Sequence, residues 1–194
     1  MDYIFSIVIG FIIGLIPNYY LDARISVLLK FKNNWTQKTT SVLLDIIKGM
    51  LIILITKYLL NYEFTSIILS LIIGALTHSF LQGLKLKSRN GQFVALGGLS
   101  IFLPALVLFW IIIWVISFIY KKNINFSLIS ATFLTGLVAI TSSEILNKEY
   151  WYSNPTADSD AEFAILVGIL FAALVLTQID NFKSFILTEK LKDN

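Results

Sequence analysis

Between Thr77 and Gly98 the chain reads THSFLQGLKLKSRNGQFVALGG. An apolar run closes on the single histidine, His78; the cations Lys85, Lys87 and Arg89 follow, then Gly91, and an apolar run resumes. These residue types suit the chemistry of a bound anion. A helix starting just after Gly91 offers free N–H groups and a partial positive charge, where phosphate binds readily. Lys87 and Arg89 beside that helix start would complete a phosphate cradle. His78 is the one side chain here that exchanges a proton near neutral pH. Two plainer readings stay open beside this one. The positive-inside rule alone would place cations here, and a lone histidine at a helix end also serves as a packing residue.

A second cation sits inside an apolar stretch, Lys48 in SVLLDIIKGMLIIL. An ammonium within a membrane span costs about 2.5–3.5 kcal/mol on insertion scales. Asp45 lies three residues earlier on the same helical face, so the two can form a structural pair. Lys48 is then either half of a neutralised pair or a wall of an anion-binding cavity. Other chemistries are closed off. With no cysteine there is no disulfide and no thiolate ligand or nucleophile. One histidine excludes the ordinary multi-histidine zinc site. No metal and no cofactor are expected. The acidic segment NKEYWYSNPTADSDAE, residues 147–162, reads as a solvated cap in preference to a carboxylate metal site, with Tyr150, Trp151 and Tyr152 suited to a membrane interface.

The elements that must position these residues are membrane helices. Of 194 residues, 57% are hydrophobic and 14% charged, against about 25% charged in soluble domains. Mean hydropathy is +0.80. Spans of about 20 apolar residues are expected at 3–21, 41–60, 64–82, 104–120, 128–146 and 163–179. The segment 93–103 reaches only half way, and Pro104 after it suits the first turn of the next helix. With the N-terminus outside and that half-span turning at Pro104, twelve of the 15 cations fall on the cytoplasmic side, as does the C-terminus. The expected fold is an all-α bundle, six spans plus one half-length helix, in a single transmembrane domain over 1–194. The first apolar run lacks a positive n-region and reads as a retained span.

Several of these stretches, in order, are similar to the motifs of one family. LLDIIKGM resembles its Asp-x-x-Lys-Gly, and HSFLQGLKLKSRNG resembles its His-x-x-Pro-x-x-x-x-Phe-Lys-Gly-Gly-Lys-Gly, with His78, Lys87 and Gly91 in register. ALGG continues that motif from Ala95, YKKNINFSLISAT is similar to a basic turn before Ser-Leu-x-Ser, and TQIDNFKSFILTEK falls where the family has Arg-His-x-x-Asn-Ile-x-Arg-Leu. The chain thus resembles the membrane-embedded bacterial glycerol-3-phosphate acyltransferases that draw their acyl group from acyl-phosphate. Departures are equally specific. The family's Ser-Gly-Asn-x-Gly-Ala-Thr-Asn loop has no counterpart in ARISVLLKFKNNWTQKTTS. Leu81 replaces a proline, Arg89 a glycine, Asn90 the substrate-binding lysine and Gln178 the C-terminal histidine, while the asparagine persists as Asn181.

The resemblance implies acyl transfer to the 1-hydroxyl of glycerol-3-phosphate, giving lysophosphatidic acid, in the bacterial inner membrane. It places His78, Gln178 and Asn181 at catalytic positions, and Lys48, Lys87, Arg89, Asn90 and Gly91 at phosphate- or substrate-binding ones. Gln178 cannot accept a proton at neutral pH. Acyl-phosphate, glycerol-3-phosphate and membrane lipids are the expected partners, with no nucleic acid, and a monomer is expected. Two other readings remain: a non-catalytic paralogue that binds lipid, phosphate or a partner protein, and a small transporter. No span carries a mid-membrane carboxylate, which disfavours a proton-coupled carrier.

Overall fold

An apolar chain closes its backbone hydrogen bonds within each segment, and helices are how it does so. The computed structural model describes residues 2–16, 34–60, 63–83, 91–148 and 155–178, and among these there are eight helices and no strand. They are α1 (Asp2–Leu15), α2 (Asn34–Leu59), α3 (Phe64–Gly83), α4 (Gln92–Phe102), α5 (Pro104–Lys121), α6 (Ile124–Thr141), α7 (Ser143–Leu146) and α8 (Asp160–Leu176). The half-length segment is present as α4, with 11 residues, and Pro104 opens α5 where its missing N–H leaves no bond unmade. Two expectations need correction. The expected span 128–146 is divided, because α6 ends at Thr141 and Ser142 leaves helical geometry before α7. The expected span from residue 41 begins at Asn34, so Asp45 and Lys48 lie well inside a 26-residue helix.

Helices α5 and α6 are each long and apolar enough to cross a membrane. Large apolar side chains such as Leu108, Ile112, Ile116 and Ile119 face outward, while Ser41, Asp45, Lys48, Thr56, Ser70 and His78 are buried. Polar groups inside and apolar ones outside is the arrangement expected of a bundle solvated by lipid.

Two compact units make up the chain, Met1–Ile101 and Phe102–Asn194. In the first, α1 meets α3 through glycine. A Cβ at Gly10 would overlap the Ser70 carbonyl oxygen, and one at Gly14 would lie 2.7 Å from that of Gly74. Gly10 and Gly14 stand four apart, the small-residue spacing that lets helix backbones approach closely. Helix α2 runs antiparallel to α3: Asp45 meets His78 at one end, and Thr56 Oγ1 lies 3.0 Å from Ser70 Oγ at the other. Helix α4 presses on α2, where a Cβ at Gly49 would overlap the Val94 carbonyl and one at Gly97 that of Ile46.

The start of α4 is fastened to α3. The Gly91 N–H donates to Ser79 Oγ at 2.6 Å, and a Cβ on Gly91 would overlap the Ala75 carbonyl oxygen. Ala75 and Ser79 lie one to two turns before the end of α3, so α4 begins roughly 6–12 Å short of that end. The helix start is thereby recessed, and Gly91, Gln92, Val94 and Ala95 are all buried.

In the second unit, α5 ends at Lys122, whose φ of 49° allows its N–H to reach the Phe118 carbonyl at 2.8 Å. Asn123 then caps α6, its Oδ1 accepting from Phe126 N at 3.1 Å. Ser159 caps α8 in the same way through Glu162 N. Asn147 ties the end of α7 to the start of α8, accepting from Ala157 N and donating to Asp160.

Two outcomes follow. Gly10→Val should destabilise the protein by about 1–3 kcal/mol through overpacking, read as a lower Tm in detergent. Ser79→Ala should leave Tm nearly unchanged yet speed hydrogen exchange at the Gly91 amide about fivefold, the equivalent of one lost hydrogen bond of ~1 kcal/mol.

Candidate active site

The buried ionisable groups of the first unit are Asp45, Lys48 and His78. His78, near the C-terminus of α3, brings Nε2 to 2.9 Å from Asp45 Oδ1 on α2. Both side chains are wholly enclosed. The carboxylate sits off the ring's N–H direction, so the contact is close without being a straight hydrogen bond, and among the described residues neither ring nitrogen of His78 has a hydrogen-bond partner. One turn along α2, Lys48 is 4% exposed and donates from Nζ to the carbonyl of Ile16, just past α1. That carbonyl is one of those a helix C-terminus leaves without an intrahelical donor, and an ammonium there also meets the negative end of the helix dipole. Gly91 and the α4 N-terminus stand at the same end through Ser79, the residue after His78.

Periodicity along α2 offered Lys48 as the partner of Asp45. The structure adds the cross-helix contact to His78, which spacing within a single helix does not reveal. Its only sequence signal was the joint presence of one acid and one histidine in otherwise apolar segments. Lys87, Arg89, Asn90 and Asn181 lie outside the described residues. The structure therefore brings together Asp45, Lys48, His78 and Gly91.

Gln178 belongs to the second unit and is 1% exposed. Its Nε2 donates to Thr132 Oγ1 at 3.2 Å, and the same oxygen accepts from Trp110 Nε1 at 3.2 Å while donating to the Leu128 carbonyl at 2.8 Å. One hydroxyl on α6 thus joins α5 and the end of α8. Sequence reading gave no role to Thr132, the last residue of the YKKNINFSLISAT stretch, or to Trp110. Trp110 also begins a stacked row on α5, with ring centroids 6.3 Å from Trp114 and then 5.9 Å on to Phe118. Beside this knot an apolar groove of about 360 Å³ runs between α6 and α8. Gly136 and Gly168 contribute to it, with Phe133, Leu137, Ile140 and Phe171 as walls.

Chemically, the first unit offers an imidazole held by a carboxylate, an ammonium and a recessed helix start, and the second an apolar groove beside a buried amide. Comparison with known proteins agrees with the motifs that these residues occupy. A family model described as glycerol-3-phosphate acyltransferase matches residues 33–187. A protein of Bartonella quintana (strain Toulouse) named glycerol-3-phosphate acyltransferase is 34% identical over 102 residues, which is 51% of this chain and 48% of that protein. The chain thus aligns with about half the length of this curated relative. No solved structure matches. With the family model spanning most of its length, the chain belongs to the glycerol-3-phosphate acyltransferase family.

Proposed function

We propose that this protein transfers an acyl group from acyl-phosphate to the 1-hydroxyl of glycerol-3-phosphate, forming lysophosphatidic acid for phospholipid synthesis. The observation that carries the reading is the convergence of Lys48, His78 and Gly91 at one end of the first unit, each in a motif similar to the family's. Lys87, Arg89 and Asn90 bind the phosphate, together with the first-turn N–H groups of α4. Lys48 lines the same end, and Asp45 and Lys48 form a mutually neutralising pair. The groove between α6 and α8 suits the acyl chain, being walled almost wholly by carbon. Asn181 orients substrate, with Gln178 as a neutral neighbour in the same motif. Acyl-phosphate is a mixed anhydride and already activated, so the transfer calls for no cofactor and no metal.

In this reading the chain is one transmembrane domain over 1–194, a multi-pass monomer of the bacterial inner membrane. It has six spans plus the half-length α4, the N-terminus outside and the C-terminus in the cytoplasm. Support comes from the outward-facing apolar side chains and the clustering of lysine and arginine on alternate connections.

One observation favours a second reading, a family member that binds its ligands without turning them over. Gln178 stands where the family has histidine, and its amide donates to a threonine hydroxyl. The loop after the first span also lacks the family's glycine-rich motif.

Purified protein in lipid vesicles should convert acyl-phosphate and glycerol-3-phosphate to lysophosphatidic acid, followed with radiolabelled glycerol-3-phosphate. Lys87→Ala should lower that turnover by about a hundredfold or more, as expected when a charged phosphate contact is lost at the transition state. Turnover no higher than in vesicles without the protein, with ligand binding retained, would establish the second reading instead.

A further inference from the structure

We propose that Thr132 is the positioning residue for the side chain at 178. Its hydroxyl fixes which end of that amide faces α6, and so which end is offered on the other side. This rests on the acyltransferase reading, in which Gln178 begins the C-terminal motif that also holds Asn181.

The valence of one oxygen carries the assignment. A threonine hydroxyl has one proton to give and two lone pairs with which to accept. At Thr132 all three are used. The proton goes to the Leu128 carbonyl at 2.8 Å. The Trp110 indole, which can only donate, occupies one lone pair at 3.2 Å, and Gln178 Nε2 occupies the other at 3.2 Å. Thr132 is wholly buried, as is Gln178.

An amide carries a donor at one end and an acceptor at the other, and a half-turn of its last bond exchanges them. At Gln178 that exchange is blocked. Turned over, Oε1 would face an oxygen whose proton is already given to Leu128, and two acceptors would meet inside an apolar wall. Buried polar groups left in that way cost their full desolvation. The donor therefore stays on Thr132, and Oε1, also buried, stands away from it. The backbone is held at the same place. Thr177 N–H reaches the Ala173 carbonyl at 3.1 Å, Gln178 N–H that of Val175 at 3.0 Å, and Thr177 Oγ1 donates to Leu174 at 2.7 Å. Position 178 thus offers a donor to α6 and an acceptor elsewhere. A histidine there would be held in the same sense, with its N–H on Thr132 and the lone pair on its other nitrogen. A methionine would have nothing to give Thr132.

The test is steady-state kinetics of the full chain in vesicles with acyl-phosphate and glycerol-3-phosphate. Thr132→Val should lower kcat/KM for glycerol-3-phosphate about tenfold, the effect of one buried hydrogen bond. Gln178→Met should do the same, and the double variant should be no lower than the worse single, since both remove one contact. Thr132→Ser keeps the hydroxyl and should restore the rate, and Gln178→His should be about tenfold faster than Gln178→Met. Trp110→Phe takes the other N–H from the same oxygen. It should lower Tm yet leave kcat/KM within about threefold, which separates positioning from packing. A folded Thr132→Val variant that keeps kcat/KM within about threefold of an active parent overturns the assignment and leaves the acyltransferase reading intact. Additive losses in the double variant overturn it too, as does a loss in Trp110→Phe as large as in Thr132→Val. Should Thr132→Val not fold, Gln178→His and Gln178→Met decide, and equal rates for the two overturn it. A parent with no turnover overturns both.

Discussion

A carboxylate and an imidazole enclosed among apolar helices have no solvent to fall back on, and Asp45 and His78 have each other. Removing one member of such a buried pair typically costs 3–5 kcal/mol, because the survivor is left charged or unbonded in a medium that cannot hydrate it. The pair therefore sets how far α2 slides along α3. A slip of one turn on either helix would move the partner by about 5.4 Å and break the contact. The Thr56–Ser70 contact near the far end of the two helices enforces the same register.

Glycine decides how close the remaining helices come. Gly10 and Gly14 admit α3 to α1, and Gly49 and Gly97 admit α4 to α2, each at a backbone carbonyl where a methyl group would collide. Between chains dissolved in lipid the hydrophobic effect gives little preference for helix contact, so close backbone packing carries much of the association. This has a consequence for the chemistry. An eleven-residue helix drawn tightly against two longer ones starts inside the unit, with Gly91 and Gln92 buried. An electrostatic attraction to an anion is stronger there than at an exposed helix start.

Much of this was legible in the sequence because membrane helices declare themselves by length and composition. The half-length α4 was readable from eleven apolar residues ahead of Pro104, and the order of motifs singled out His78, Gly91 and Gln178, which the structure buries. The break at Ser142 was not, since no glycine or proline marks it and ThrSerSer can continue a helix as readily as end one. The Asp45–His78 contact was hidden for a different reason. Spacing within one helix identifies neighbours at three and four residues, whereas a partner on another helix depends on a register that only packing determines. The Thr132 knot is opaque for the same cause: its three helices meet at a hydroxyl with no signature of its own.

That knot also bears on the proposed match of Gln178 to a family histidine. Toward Thr132 the side chain at 178 is required only to donate one hydrogen bond from within an apolar wall, and an amide Nε2 does so as well as an imidazole N–H. What the amide cannot do is exchange a proton. The structural and chemical demands on position 178 are separable, and glutamine meets the first alone. A chain altered in this way can keep the packing of α5, α6 and α8 while losing proton transfer at that point.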